Sequence, residues 1–150
     1  MGDRSNIEWT DASWTPIRAR NLATGKIGWH CEHATTGCEF YYAEGMNKRL
    51  GTGLPFKPGH RADIEIFLDD EMLLAPLRWK KPRRIFVCSM TDAFADFVTD
   101  EWLDKIFAVM ALCPQPWTWL PKSKIEFEKI SATTVKVTLP EWLAREKRLI

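Results

Sequence analysis

Apolar residues recur with helical spacing in two segments of the chain. In residues 39–50 the apolar positions lie four residues apart: Tyr42, Met46 and Leu50. In residues 100–112 they form one side of a helix: Leu103, Ile106, Phe107 and Met110. Side chains at such spacing share one helical face, and Thr99 is a suitable N-cap for the second segment. The pattern therefore predicts helices over both segments.

Other segments carry the patterns of strands. Residues 64–68 (IEIFL) form a short apolar run, and residues 85–90 (IFVCSM) form a continuous one that is typical of a parallel strand buried on both faces. Residues 124–130 and 133–139 alternate with period two, which predicts a β-hairpin. Residues 1–38 contain several glycines and a proline with little periodicity, so they are predicted to be loops.

Two shorter helices complete the predicted elements. One covers residues 70–77, with Asp69 or its neighbour as the cap and a proline disturbing its end. The other covers residues 140–150 and is amphipathic, with a proline in its first turn. Residues 1–115 are thus predicted to be α/β, and residues 116–150 to form a separate unit of a hairpin and a short helix.

Composition indicates an ordinary soluble protein. Hydrophobic residues make up 45% of the 150 residues and the formal net charge is +1, so no global charge attracts nucleic acid or an acidic membrane. No apolar run approaches the roughly 18 residues of a membrane span, and the N-terminus lacks the apolar segment of a signal peptide. We therefore expect a location in the cytoplasm of a host cell, where the four cysteines are reduced thiols.

Five stretches of the chain carry a family resemblance. They read IEWTDASWTP, CEHATTGC, YAEGMNKRLGTG, LRWKKPRRIFVCSMTD and DEWLDKIFAVMAL. Over about residues 6–115 the chain resembles the N-terminal part of a phage family of three-cysteine-motif, radical-SAM-like proteins. The resemblance implies a partial (β/α) barrel and an iron–sulfur cluster that binds S-adenosylmethionine.

The same resemblance implies a set of site residues. The cluster ligands are Cys31 and Cys38, and residues of possible contact with the cofactor follow the predicted strand 85–90: Ser89, Met90 and Asp92. Tyr41 stands where the family has its third cysteine. A cluster with one open iron needs three thiolates, and a phenol is a poor substitute. We therefore expect no catalysis and no bound cofactor, with a labile cluster as the alternative.

The rest of the chain departs from that family. The strand that follows helix 100–112 in the family is expected to be missing, and with it the remainder of the barrel. Residues 116–150 resemble instead the C-terminal end of a small phage β-protein. The chain therefore looks like a fusion of two fragments.

A structural zinc site is a second interpretation of the segment that contains Cys31 and Cys38. The segment offers two nitrogen and two sulfur ligands within nine residues: His30, Cys31, His33 and Cys38. These are the ligand types of a structural zinc site, although the spacing differs from that of common zinc fingers. The remaining alternative is a buried Cys38 with the other three side chains in a solvated loop.

Charged segments allow further interpretations. A basic strip surrounds Trp79 and comprises Arg78, Lys80, Lys81, Arg83 and Arg84. It is either a nucleic-acid contact with a stacking aromatic or a solvated turn before a buried strand, and we favour the turn. An acidic group follows and comprises Asp92, Asp96, Asp100 and Glu101. It is either a cation or acid–base site, or the loop and first turn of a helix.

Contact with another protein is the predicted role. Large aromatic side chains suit such a surface, and three of the eight tryptophans are the candidates: Trp29, Trp79 and Trp117. A half-barrel leaves unpaired strand edges, which a hairpin, self-association or a partner must cover. We expect a small binding module or an inhibitor of a host or defence complex. The resemblance adds a three-cysteine-motif partner protein as one candidate.

Overall fold

The fold of the chain is mixed α/β, as the pattern predicted. A computed structural model describes residues 8, 10–32 and 42–113, and the backbone of residues 117–121, 126–129 and 135–138. The α-helices of these residues are α1 (Tyr42–Leu50), α2 (Asp70–Leu74) and α3 (Asp100–Leu112). Their strands are β1 (Ala12–Trp14), β2 (Ile17–Asn21), β3 (Ile27–Gly28), β4 (Ile64–Leu68), β5 (Arg83–Val87), β6 (Trp117–Pro121), β7 (Glu126–Lys129) and β8 (Val135–Thr138). Two 3₁₀ helices cover Pro58–Asp63 and Ala75–Arg78.

Five strands form the larger sheet, in the order β1-β5-β6-β7-β8. The pairs β1–β5 and β5–β6 are parallel, with α3 as the crossover between β5 and β6. The strands β7 and β8 are antiparallel, with Phe127 opposite Val137, so the predicted hairpin is confirmed. The hairpin pairs with β6 and covers that edge of the sheet.

The strand β6 corrects one expectation. We expected no strand after helix 100–112, yet β6 follows α3 and pairs along its whole length with β5, Arg83 facing Trp117. The larger sheet therefore continues across the boundary predicted at residue 115. In the part of the chain that the structure describes, the two sheets do not close into a barrel.

The strands within residues 1–38 correct a second expectation, and two of them form the smaller sheet with β4. Residues 1–38 were predicted to be loops, but β1, β2 and β3 lie within them, and β2 pairs antiparallel with both β3 and β4. Along β2 the residues Ile17, Ala19 and Asn21 are buried, while Arg18 and Arg20 alternate with them and are half-buried. This period-two alternation is typical of a strand with one buried face.

The main hydrophobic core lies between α3 and the parallel strands. Ile85 and Val87 of β5 pack there with Ile106 and Met110 of α3. The bounds of α3 are those predicted, and the hydroxyl oxygen of Thr99 accepts a hydrogen bond from the backbone N–H of Trp102. The apolar face of α3 is therefore turned inward, as its spacing indicated.

The segment between β4 and β5 holds α2 against this core. Asp69 caps α2 by accepting a hydrogen bond from the backbone N–H of Met72 at 3.0 Å. The indole N–H of Trp14 donates to the backbone oxygen of Met72 at 2.7 Å. Pro76 ends the α-helix earlier than predicted, and the chain continues as a 3₁₀ helix.

The bounds of two predicted helices can be compared with the structure only in part. Helix α1 ends at Leu50 as predicted, and its predicted first turn at residues 39–41 lies outside the described residues, as does the predicted helix 140–150. Among the helices that the structure describes, none is long and apolar enough to cross a membrane.

Candidate functional site

Cys31 is buried directly after β3. Its thiol makes a weak hydrogen bond of 3.8 Å to the backbone oxygen of Glu32. The side chain packs in a small apolar cluster with Ala43, Phe56 and Met90. A residue proposed as a cluster ligand and one proposed as a cofactor contact thus lie together, beyond the carboxyl end of β5.

The chain turns sharply at this end of β5. Cys88 has a φ of 51°, a left-handed conformation that costs a non-glycine residue on the order of 1 kcal/mol. Its backbone N–H donates to the oxygen of Trp14 at 2.7 Å, which fixes the turn against β1. Ser89 and Thr91 are fully buried just after it. Strained turns at the carboxyl ends of parallel strands are frequent at binding sites.

A hydrogen bond joins this turn to the cysteine segment. The hydroxyl of Thr91 donates to the backbone oxygen of His30 at 2.6 Å. Asp92 is half-buried, and its carboxylate accepts a hydrogen bond from the backbone N–H of Phe94 at 2.9 Å. The turn and the segment around Cys31 therefore form one connected structure, within which Asp92 stabilises the loop.

His30 is buried between two aromatic rings. Its ring centroid lies 6.1 Å from that of Phe56 and 5.7 Å from that of Phe97. Burial lowers the pKa of His30, and the nearby carboxylate of Glu32, 3.4 Å from Nε2, only partly opposes this effect. A depressed pKa means that His30 stabilises the fold in its neutral form. This stability is present above the ordinary histidine pKa and is lost as the pH falls toward the folded value.

These residues do not complete a three-thiolate site. In the described residues of this region Cys31 supplies the thiol, while Cys88 points into the main core and Cys113 donates to the backbone oxygen of Pro76. Cys38, His33 and Tyr41 lie outside the described residues. With tyrosine at position 41, the sequence provides two of the three thiolates that such a cluster needs. No group of three His, Cys, Asp or Glu residues is placed to hold a metal among the residues described.

Two buried polar atoms lack hydrogen-bond partners in the described part of the chain. They are the hydroxyl of Thr15, directly after β1, and the indole N–H of Trp29. Trp29 is half-buried against the cluster of Cys31, and the guanidinium of Arg18 lies over its ring at 4.9 Å. An unpaired buried donor costs about 1–3 kcal/mol, so each atom is a candidate contact for a polar group.

The basic strip has the geometry of a turn beside the core. Trp79 packs against the main core, and the guanidinium of Arg83 lies over its ring at 4.8 Å. Arg84 bonds to the carboxylate of Asp11, and Arg78 donates to a backbone oxygen of α2. Lys80 and Lys81 are exposed. Since Arg83 already lies on the Trp79 ring, this arrangement favours the solvated turn over a base-stacking site.

The acidic residues Asp92, Asp96, Asp100 and Glu101 do not form a cation site in the described part of the chain, and two of them begin α3. Asp100 and Glu101 occupy the first turn of α3, where the helix dipole favours negative charge. The ammonium of Lys105 beside Glu101 lowers the pKa of that carboxyl. Asp96 is exposed, while Asp92 bonds within its own turn. The structure therefore separates these carboxylates, and the interpretation as a helix start agrees with it.

Helix α1 is fixed by a buried amide on its inner side. The oxygen of the Asn47 side chain accepts from the backbone N–H groups of Trp29 at 2.9 Å and Thr52 at 3.1 Å. Its nitrogen donates to the hydroxyl of Thr52 at 2.7 Å and to the backbone oxygen of Leu54 at 2.9 Å. All four hydrogen bonds of the amide are made, so the helix has one defined orientation.

Two glycines allow this close packing. A Cβ on Gly28 would lie 2.3 Å from the backbone nitrogen of Thr52, and a Cβ on Gly51 would lie 2.2 Å from the side-chain oxygen of Asn47. Both distances are shorter than real contacts, so the backbones of β3 and the end of α1 touch only because side chains are missing there.

The apolar side of α1 consequently faces solvent. Tyr42 is 48% exposed, Met46 38% and Leu50 66%. Gly45 and Arg49 are also exposed and share this side at helical spacing. We call these five residues the α1 outer face: Tyr42, Gly45, Met46, Arg49 and Leu50. The buried residues of α1 are Ala43 and Asn47.

The α1 outer face was not among the predicted binding residues. The predicted contact surface used tryptophans, but Trp29 and Trp79 are half-buried with arginines over their rings. The side chain of Trp117 lies outside the described residues, although its backbone begins β6. The apolar spacing of α1 was visible in the sequence. The sequence feature that could have indicated its exposure is Asn47, a polar residue that occupies the buried side of α1.

One comparison with known proteins finds a match. A family model described as Protein of unknown function (DUF5131) matches residues 4–145, which covers both units predicted from the sequence. No curated protein matches the chain, and no solved structure matches it. The description of the matching family names no activity, ligand or partner.

Proposed function

Because this chain belongs to the family Protein of unknown function (DUF5131), which has no described activity, we propose a function from its geometry. The chain is a non-catalytic protein-binding module, and its contact surface is the α1 outer face. The observation that carries the proposal is the exposure of Tyr42, Met46 and Leu50 on one side of an anchored helix.

Exposed apolar residues that lie together on one helix favour contact with another protein. Single exposed apolar residues are ordinary, whereas adjacent ones on one element frequently mark a contact site. A preorganised surface loses little conformational entropy when it binds. The four hydrogen bonds of Asn47 hold α1 in place before any partner arrives. Tyrosine and methionine are enriched in the buried centres of protein interfaces, and an exposed leucine adds apolar area that binding removes from water.

The proposal retains the resemblance to phage radical-SAM-like proteins as the origin of the scaffold. It is supported by the packing of Cys31 beside Met90 beyond the end of β5. Tyr41 leaves the expected ligand set at two thiolates, which supports contact rather than chemistry. We accordingly propose that a protein of a host or defence complex, or a three-cysteine-motif protein, is the partner.

The test compares a double substitution on the α1 outer face with a single substitution at an exposed leucine elsewhere. The double variant Met46→Asp/Leu50→Asp places charge on the α1 outer face. The control Leu112→Asp alters an equally exposed leucine, 69% accessible, at the end of α3. Tagged wild-type and variant proteins are used to isolate partners from host cells, and the affinity for each identified partner is measured by calorimetry. We expect at least a tenfold loss for the double variant and no change for the control.

An equal affinity for the wild type and the double variant would contradict the proposed surface. Circular dichroism of the variants tests whether the fold is retained, which we expect because the substituted side chains are exposed.

A second candidate function is a labile iron–sulfur site that binds S-adenosylmethionine. The contact of Cys31 with Met90 and the unpaired donors of Thr15 and Trp29 favour it. Iron analysis after anaerobic reconstitution compares the natural protein with Tyr41→Cys. Iron held only by the variant supports loss of the cluster, while iron and cofactor cleavage in the natural protein would establish the enzyme instead.

A further inference from the structure

The α1 outer face contains a glycine that the fold does not need. Gly45 lies in the middle of α1 and is exposed. Among the described residues, a Cβ placed there meets no atom within 4 Å, unlike one on Gly28 or Gly51. Glycine inside a helix is destabilising relative to alanine, so this position carries a cost that no packing within the described part of the chain explains.

The side chains beside Gly45 border a shallow groove on the α1 outer face. Tyr42, Met46 and Leu50 form a ridge of residues four apart along α1, and Gly45 and Arg49 form the adjacent row. Because Gly45 has no side chain, that row contains a shallow gap beside the ridge. Helices pack by placing the ridge of one into such a groove of the other, and a glycine at the crossing lets the two backbones approach closely.

The charge on this face selects the chemistry of the partner. Lys48 forms an ion pair with Glu44, whose other carboxylate oxygen accepts a hydrogen bond from the backbone N–H of Phe56. Arg49 is exposed and shows no ion pair in the described part of the chain. An arginine next to an apolar ridge is complemented by a carboxylate, with which it forms charge-assisted hydrogen bonds.

We propose that the partner binds the α1 outer face with an amphipathic α-helix, which crosses α1 at Gly45 and places a carboxylate opposite Arg49. This inference rests on the proposed protein-binding function and specifies its partner. The proposed occupant of the α1 outer face is a helix of another protein. A second copy of this chain and a non-helical segment are the alternatives that the experiment distinguishes.

The experiment selects binders from a yeast-displayed library of amphipathic helices. The apolar side of each helix is fixed as leucine and alanine, and the polar positions vary among glutamate, lysine, glutamine and serine. The full-length protein is the bait. We expect recovered helices to carry glutamate beside the apolar side, with small residues at the crossing point.

Variants of the bait then test each element of the geometry. Gly45→Leu fills the gap without touching the rest of the chain, and we expect at least tenfold weaker binding. The matched control is Gly59→Leu, at an exposed glycine whose Cβ would meet none of the described atoms within 4 Å, and it is expected to leave binding unchanged. Arg49→Glu weakens glutamate helices about tenfold, and lysine versions of the same helices recover the affinity.

Several outcomes would overturn the inference. If no helix is recovered, or if Gly45→Leu binds the recovered helices as well as the wild type does, the crossing at Gly45 is wrong. Loss of binding in Met46→Asp/Leu50→Asp alone would then leave the protein-binding function standing. Unchanged binding in all of these variants would remove both proposals. Sedimentation of the wild type as a dimer, with Gly45→Leu as a monomer, would identify a second copy as the occupant.

Discussion

Helices α1 and α3 have similar apolar spacing but opposite orientations. The apolar side of α3 packs inward, where Ile106 and Met110 meet the parallel strands. The apolar side of α1 points outward, and its inner side is a buried amide, Asn47, next to a small alanine. Helical periodicity therefore predicted both helices, but it did not determine which side of α1 is buried.

Different interactions hold the two helices in place. Burial of large apolar side chains stabilises α3, each worth about 1.5–3 kcal/mol. Polar bonds from Asn47 and the close backbone contact at Gly28 and Gly51 hold α1. Met46 and Leu50 of α1 are consequently exposed to solvent. Three substitutions test this difference.

Asn47→Leu has the largest expected effect. It removes four hydrogen bonds and leaves the backbone groups of Trp29, Thr52 and Leu54 buried without partners, so we expect a loss of about 3 kcal/mol in the free energy of unfolding. Urea denaturation measures the loss. The comparison is Ile106→Val on α3, expected to cost about 1 kcal/mol. A loss for Asn47→Leu no greater than that of Ile106→Val would show that α1 is not anchored by its amide.

Gly28→Ala has the next largest effect. The added methyl group would overlap the backbone of Thr52, so the end of α1 must move away from β3 at a cost of about 2 kcal/mol. Gly59→Ala serves as the control because its Cβ would meet no atom of the described residues within 4 Å. Both variants are compared by their midpoints of denaturation. Equal midpoints would mean that β3 and α1 are not in close contact.

Gly45→Ala has the smallest effect, and it has the opposite sign. Alanine is favoured over glycine in a helix and no atom obstructs it here, so stability is expected to rise by about 0.5–1 kcal/mol. Thermal and chemical unfolding provide the measurement. A decrease in stability would show that the outer side of α1 is packed against the chain itself.

Local signals in the sequence predicted several elements well. Strand β4 has the predicted bounds, and α3 begins after its Thr99 cap as expected. The caps and apolar runs of these elements lie within a few residues of one another. The strands β1 and β3 were missed because each is only two or three residues long. The strand β2 was missed because its buried positions include an alanine and an asparagine, and Pro16 separates it from β1.

The candidate surface could be predicted only in part. The spacing of Tyr42, Met46 and Leu50 was evident, but their exposure depends on the contact of Gly28 with the segment after α1. That contact joins residues far apart in the chain, and no local pattern encodes it. The family resemblance implied separate roles for Cys31 and Met90 and no spacing in the sequence linked them. The structure places both in one apolar cluster.

The pairing of β1 with β5 has a consequence for the order of folding. Ala12 lies opposite Ile85, so the chain must close a long loop before this pair forms, whereas β7 and β8 are neighbours in the sequence. Hairpins form within about 1–10 microseconds, and long-range parallel pairing is slower. During synthesis on the ribosome, β1 therefore waits for residues 83–87 to emerge, and a nascent chain that stops earlier contains none of the other four strands of its larger sheet.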